Sequence, residues 1–312
     1  MIRLTLQRSP LLMAILLLAF ATPPCFAASR MSGEIHISGS SSMAEALDAL
    51  AKAFHKRHSH IGVVVKATGS ASATAQLARG AVSVAAMSRT ATSAEKALFE
   101  GQRGYRQTMI GVAIDGVAVY VHPKNPIKFV SMVQLDSIFS STRNRGGESV
   151  TVWGQLGVRG SLAKMRVQAV GRAATSGTRS VMGRRVLRRG SFKRGIAAAV
   201  SARAVVTRVA RSRNAIGYGS AALATAGVRL VPIGQTASAA HAPTMANCMA
   251  RRYPLGRMLY LYVDRAPDKP LEPMTLAFVA FVLAPAGQKI LGNRGFFPLP
   301  ATLIEQFKRR LN

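Results

Sequence analysis

Three short stretches place hydroxyl side chains and glycine where a helix is due to begin: Gly39-Ser40-Ser41-Ser42, Gly69-Ser70-Ala71-Ser72 and Thr175-Ser176-Gly177-Thr178. The first turn of a helix leaves backbone N–H groups without partners and carries a partial positive charge. Hydroxyls add donors there, and glycine lets an anion come close to the backbone. Each stretch follows an apolar, strand-like run, so the three ends can converge on one anion. Arg172 stands just before the third stretch, and Arg89 follows another apolar run. A guanidinium presents a planar, bidentate fork to an oxyanion. One such stretch is an ordinary helix cap. Three of them with two arginines read as a receptor for a small oxyanion.

Other chemistries find less support. A serine hydrolase needs a nucleophile, a base and an orienting acid, and no Gly-x-Ser-x-Gly elbow occurs. His55, His58 and His60 fall on different faces of a helix end among Lys56 and Arg57, with no carboxylate or thiolate beside them. They read as a solvated helix end, not a metal site. Cys248 is expected in a polar loop with no base motif and reads as a bystander thiol. No catalytic residue, metal or cofactor is expected.

The elements that must position these residues alternate. Glu34 to Ser38 reads as a strand, and Ser41 or Ser42 caps a helix to about His58, with Met43, Ala46, Leu47, Leu50 and Phe54 at helical spacing. Ile61 to Ala67 and Val82 to Met87 are strands around a short helix from about Ala73 to Arg79. Ser93, with Lys96 three residues on, starts a helix without a full capping box. This alternation predicts a parallel α/β sheet. Thr108 to Val121 is too long for one typical strand, and its Asp115-Gly116 marks a crossing between two lobes. Met132 to Phe139 is helical, Val167 to Val170 leads into the Arg172 loop, and a basic helix runs from about Arg179 to Arg188. Asn214 to Tyr218 is a strand that returns towards the first lobe, and Met258 to Val263 is another strand. Helices are expected over Thr275 to Leu283, over Gly287 to Leu291 and from about Pro300.

The first 27 residues read as a cleavable leader: Arg3 and Arg8, an apolar run from Leu11 to Ala21, then Cys25-Phe26-Ala27. Beyond it the length suits one large domain or two lobes, and Cys248 alone cannot form an internal disulfide. The chain has 42 Lys and Arg against 12 Asp and Glu, a net charge of +30. Between Ser149 and Val263 there are nineteen Lys and Arg and no acid. Nucleic-acid binding is one reading of such a surface. The cations are scattered, however, and base-stacking platforms need clustered aromatics, whereas Trp153 is the one tryptophan. A solvated surface that draws in anions is the preferred reading.

In order along the chain, Ile37-Ser38-Gly39-Ser40-Ser41-Ser42, Thr68-Gly69-Ser70, Met87-Ser88-Arg89, Ala113-Ile114-Asp115-Gly116-Val117, Asn125-Pro126, Arg172 with Ser176-Gly177-Thr178, Ile216-Gly217-Tyr218, Tyr253-Pro254-Leu255 and Gly295-Phe296-Phe297-Pro298-Leu299 resemble the phosphate-binding proteins of bacterial ABC phosphate importers. The resemblance implies an α/β, two-lobe periplasmic binding protein of type II, with hinged lobes and a central ligand cleft. It implies a leader at 1–27, a first lobe from 28–116 with 226–312, and a second lobe at 117–225. Ser42, the Met43 amide, Ser70, Arg89, Arg172, Ser176, Gly177 and Thr178 would hold inorganic phosphate, and Asp115, Gly116, Gly217 and Tyr218 would serve the hinge. The expected protein is a periplasmic monomer, not an enzyme, that passes phosphate to permease subunits and has no specific nucleic-acid partner. An oxyanion sensor or scavenger without a permease, or a cationic adhesion or nucleic-acid-binding protein, would carry the same sequence features. Where acids often stand in this family, between the arginine and Ser-Gly-Thr, this chain has Ala173 and Ala174.

Overall fold

Residues 31–311 are described by a computed structural model; the leader read at 1–27 lies outside the described residues. In chain order the elements are β1 (Gly33–Gly39), α1 (Ala44–His55), β2 (Ile61–Lys66), α2 (Ser70–Ala78), β3 (Val84–Met87), α3 (Ser93–Arg103), β4 (Thr108–Val121) and α4 (Met132–Phe139). There follow β5 (Gln168–Arg172), α5 (Gly177–Val181), β6 (Ala197–Ala199), α6 (Ala202–Ala210), β7 (Ala215–Ser220) and β8 (Arg229–Val231). The chain closes with α7 (Met245–Met249), β9 (Gly256–Val263), α8 (Pro273–Leu283), α9 (Pro285–Asn293) and α10 (Ala301–Lys308).

The strands run in the order β2-β1-β3-β9-β4-β7-β5-β6, with β8 also on β4. β1 pairs in parallel with β2 and β3, and β5 with β6 and β7. β9 and β4 run against their neighbours, so the sheet is mixed where the alternation predicts a parallel one. The strand–helix rhythm sets the direction of β1, β2 and β3; the late strand β9 is inserted between β3 and β4 by tertiary pairing that no local pattern encodes.

The long apolar run is one strand of 14 residues. Its first part, Thr108 to Gly116, pairs with β9, and Val117 to Val121 pairs with β7. It is buried from Ile110 to Val121 because both faces are covered, which is why it reads as continuous apolar sequence without alternation. The core follows it: Val112 and Ile114 on one side of the crossing, and Val117 and Val119 with Phe139, Trp153 and Tyr218 on the other. In the first lobe α1 buries Leu47, Leu50 and Phe54, and the Phe54 ring meets Phe278 edge-on at 5.3 Å between centroids.

Local starts differ from the sequence reading in two places. α3 is capped by Thr92, not Ser93, and Glu95 at the third position completes a capping box. α1 starts behind Met43 with no side-chain cap, which leaves the hydroxyls of Ser41 and Ser42 for other partners. The basic helix after Arg172 is α5 followed by a π-helical turn over Met182–Val186.

Candidate functional site

Four hydroxyls from four elements meet where the two parts of the sheet face one another. Ser42 precedes α1, Ser70 opens α2, Ser88 follows β3 and Thr178 lies in α5; all four are buried. Ser42 Oγ is 3.2 Å from Thr178 Oγ1, and Ser70 Oγ is 3.4 Å from Ser88 Oγ and accepts from the Ser88 amide. Gly177 fits between them: a Cβ there would come within 2.5 Å of both Ser70 Oγ and Ser88 Oγ. Gly69 is the counterpart from the other side. Its φ is +96°, and a Cβ would stand 2.8 Å from the Thr175 carbonyl oxygen, which already accepts from the Ala71 amide at 3.1 Å. Glycine at both positions lets the loop after β5 close onto the segments after β2 and β3.

Two arginines border this cluster. Arg172 ends β5 and is 3 % exposed. Its Nη2 donates to Ser41 Oγ at 2.8 Å, its Nε donates to the Ala199 carbonyl at 3.3 Å, and its buried Nη1 has no partner. Among the described residues no carboxylate is paired with it. Burial pushes its pKa down, with a further push from Arg257. Arg257, on β9, is buried too but is neutralised: its Nε and Nη2 donate to Asp115 Oδ2 at 2.9 and 2.7 Å. Its Nη1 donates to Thr178 Oγ1 at 3.0 Å and to the Ser88 carbonyl at 3.3 Å. Ser220 donates to Asp115 Oδ1 at 2.7 Å.

The sequence-predicted residues do not all gather here. Ser42, Ser70, Gly177, Thr178 and Arg172 do. Ser176 caps α5, accepting from the Arg179 amide at 3.3 Å. The Met43 amide donates to the Ser40 carbonyl at 3.0 Å within the turn, and the Met43 side chain is in the core. Arg89 turns to Glu95 in a fork with both N···O distances 2.6 Å. The capping acid of α3, which the sequence reading missed, holds that arginine away from the hydroxyls. Asp115, expected at the hinge, is the buried counter-ion of Arg257. Gly217 and Tyr218 lie inside β7, paired with Tyr120 and Val119, not at a crossing. The chain continues through β8 on the same sheet, to Val231, six residues past the expected end of the second lobe at 225, before β9 regains the first.

Ser41, Ser88 and Arg257 were not singled out. Arg257 had a signal: it is the one charge in the apolar run from Tyr253 to Val263. A cation on an otherwise buried strand needs a partner, and Asp115 is its register partner on β4.

Contacts between the lobes extend beyond the cluster. Arg203 on α6 forks onto Glu45 on α1, with Nε 3.0 Å and Nη2 2.7 Å from Oε1. Arg185 donates to the carbonyls of Pro254 and Gly256. Elsewhere His55 Nδ1 lies 2.9 Å from the Ile61 carbonyl and His58 stacks on Phe54. Among the described residues no group of three His, Cys, Asp or Glu could hold a metal ion. Cys248 lies in α7, not in a loop, and burial, helped by Asp115, pushes its thiol up to about 11.

A family model described as the PBP superfamily domain matches residues 27–286. The phosphate-binding protein PstS of Pseudomonas aeruginosa is 35 % identical over 293 residues, covering 93 % of this chain and 91 % of that protein. Among solved structures, a phosphate ABC transporter substrate-binding protein with bound phosphate from Clostridium perfringens superposes with a TM-score of 0.72 at 23 % identity, over 86 % of this chain and all of that one. An ABC-type phosphate transport receptor from Vibrio cholerae gives 0.66, also at 23 % identity, over 85 % of this chain.

Proposed function

The chain belongs to the PBP superfamily and, within it, to the PstS phosphate-binding proteins, and on that premise we propose that it captures inorganic phosphate between its lobes and delivers it to an ABC importer. One observation carries the reading. Arg172 is a buried cation with no countercharge and an unpartnered Nη1, set beside a cluster of buried hydroxyls. An uncompensated buried charge costs several kcal/mol. A bound oxyanion removes that cost and supplies the missing acceptor.

The hydroxyls of Ser42, Ser70, Ser88 and Thr178 act as donors to the anion, and Arg172 supplies the charge. Ser41 orients Arg172, Arg257 orients Thr178, and Gly177 allows the approach. Ser70, Ser42 and Ser88 come from one lobe and Arg172 and Thr178 from the other, so the anion joins the lobes and its binding favours closure. The hinge lies where β4 passes from one sheet to the other, at Asp115-Gly116. Beside it Val117 donates to the Leu255 carbonyl at 3.0 Å and Tyr253 donates to the Val117 carbonyl at 2.8 Å. The lobe divide then falls after Gly116 and before Gly256, with β8 in the second lobe. Capture breaks no bond, so the protein is a carrier and not an enzyme. The leader sends it to the periplasm, where it works as a monomer with permease subunits as its protein partner and no specific nucleic acid.

Isothermal titration of the mature chain with phosphate tests this. Saturable one-to-one binding is expected. Arg172→Met should weaken it about a hundredfold, from the loss of two charge-assisted hydrogen bonds at roughly 1.5 kcal/mol each. The ligand-free variant should unfold at the same temperature as the parent or higher, because a buried unpaired charge is gone. No heat at millimolar phosphate would overturn the reading.

A further inference from the structure

Phosphate near neutral pH still carries a proton, and sulfate carries none. A site tells them apart by offering the P–OH group a strong acceptor that a bare sulfate oxygen cannot satisfy and that its charge repels. Among the described residues, each carboxylate beside this cleft is already engaged by a cation or another donor. Asp115 accepts from Ser220 through Oδ1 and from Arg257 through Oδ2, and the Arg257 guanidinium reaches onward to Thr178. Both oxygens of Glu95 accept from Arg89, and Oε2 accepts from the Thr92 amide as well. Glu45 is held by Arg203 at the surface. Asp136 keeps a spare Oδ1, but it binds the Arg145 amide in the loop beyond α4. The carbonyls of Ser88, Ala199 and Thr175 are taken by Arg257, Arg172 and the Ala71 amide. The groups left without a charged partner there are hydroxyls, which donate or accept equally well, and a guanidinium, which only donates.

Taking the phosphate site as read above, we infer that the cleft selects by tetrahedral shape and negative charge without sensing the ligand's proton, and that it therefore admits fully ionised sulfate. Neither Arg172 nor the four hydroxyls sets a term against an unprotonated dianion. With no carboxylate free in the cleft, there is no like charge to reject one. Sulfate affinity is consequently flat with pH over the range in which phosphate gains its second proton.

Isothermal titration of the mature chain with sodium sulfate and with sodium phosphate, at about pH 5.5 and about pH 8, tests this across the second phosphate ionisation. Sulfate binding within about thirtyfold of phosphate at the higher pH, and unchanged at the lower, is expected. Arg172→Met must remove the sulfate heat as well, which separates the cleft from general anion binding by a basic surface. Sulfate weaker than that limit, or sulfate binding that survives Arg172→Met, overturns the inference while leaving phosphate capture standing. Sulfate binding without phosphate binding would reverse the two outcomes, and silence from both anions would remove both.

Discussion

Asp115 and Arg257 are directly opposite one another in the β4–β9 ladder, and their side chains form a buried ion pair at the point where β4 leaves the first sheet. A ladder position, an electrostatic contact and the proposed hinge therefore coincide. The same guanidinium touches Thr178 of the opposite lobe, so the pair fixes both the crossing and one hydroxyl of the cleft.

Removing one member of the pair strands the other. Asp115→Ala should cost about 3–5 kcal/mol, the usual penalty for leaving one buried charge unpaired. Asp115→Ala combined with Arg257→Met should cost less than Asp115→Ala alone, since no charge is left behind. Urea denaturation of the three proteins measures both. Equal losses in the single and double variants would contradict the account.

The fork between Arg203 and Glu45 joins α6 to α1 at the surface, with both side chains nearly half exposed. An exposed pair of this kind contributes roughly 0.2–1 kcal/mol and is screened by salt. Because it forms only when the lobes are together, Glu45→Gln should speed phosphate release by about twofold to fivefold in dilute buffer, with little change in association. The difference should vanish above about 0.5 M potassium chloride. Stopped-flow release measurements at the two salt levels decide it.

Glu95 ties Arg89 to the start of α3. Burial alone would raise its pKa, but the hydrogen bonds from Arg89 and Thr92 and the charge of Arg89 hold it below the ordinary value of 4.5. A carboxyl lowered in the folded state contributes stability that is complete above its unfolded value and is lost as pH falls through the folded one. The parent should therefore lose stability progressively below about pH 4.5. Glu95→Gln should be less stable at neutral pH and show a flatter acid limb. Thermal unfolding followed by circular dichroism between neutral pH and the acid limb provides the comparison.

Much of the site was legible in the chain because it is built from local signals. Ser42, Ser70 and Thr178 stand beside glycines after apolar runs, and Arg172 stands one strand's end before its loop. What was not legible depends on pairs distant in sequence. Arg89 looked like a ligand because nothing local says that Glu95, six residues on, will fold back as a capping acid and claim it. Arg257 was passed over because its partner lies 142 positions earlier. The placement of β9 between β3 and β4, which joins them, is likewise set by the sheet as a whole. Gly217-Tyr218 was placed at the hinge by the resemblance alone; β7 ends beside Val117 two residues further on.

The single tryptophan, Trp153, is fully enclosed in the second lobe, its indole N–H bound to the Asn214 carbonyl at 3.0 Å. Its amide donates to the Met165 carbonyl as well, so on the proposed division both bonded partners lie in its own lobe. On that division intrinsic fluorescence should follow unfolding of the lobe more than ligand-driven motion, and a phosphate titration read at the tryptophan band checks it. An optical sensor built on this scaffold needs its dye at the rim, on the α1 or α6 side of the mouth.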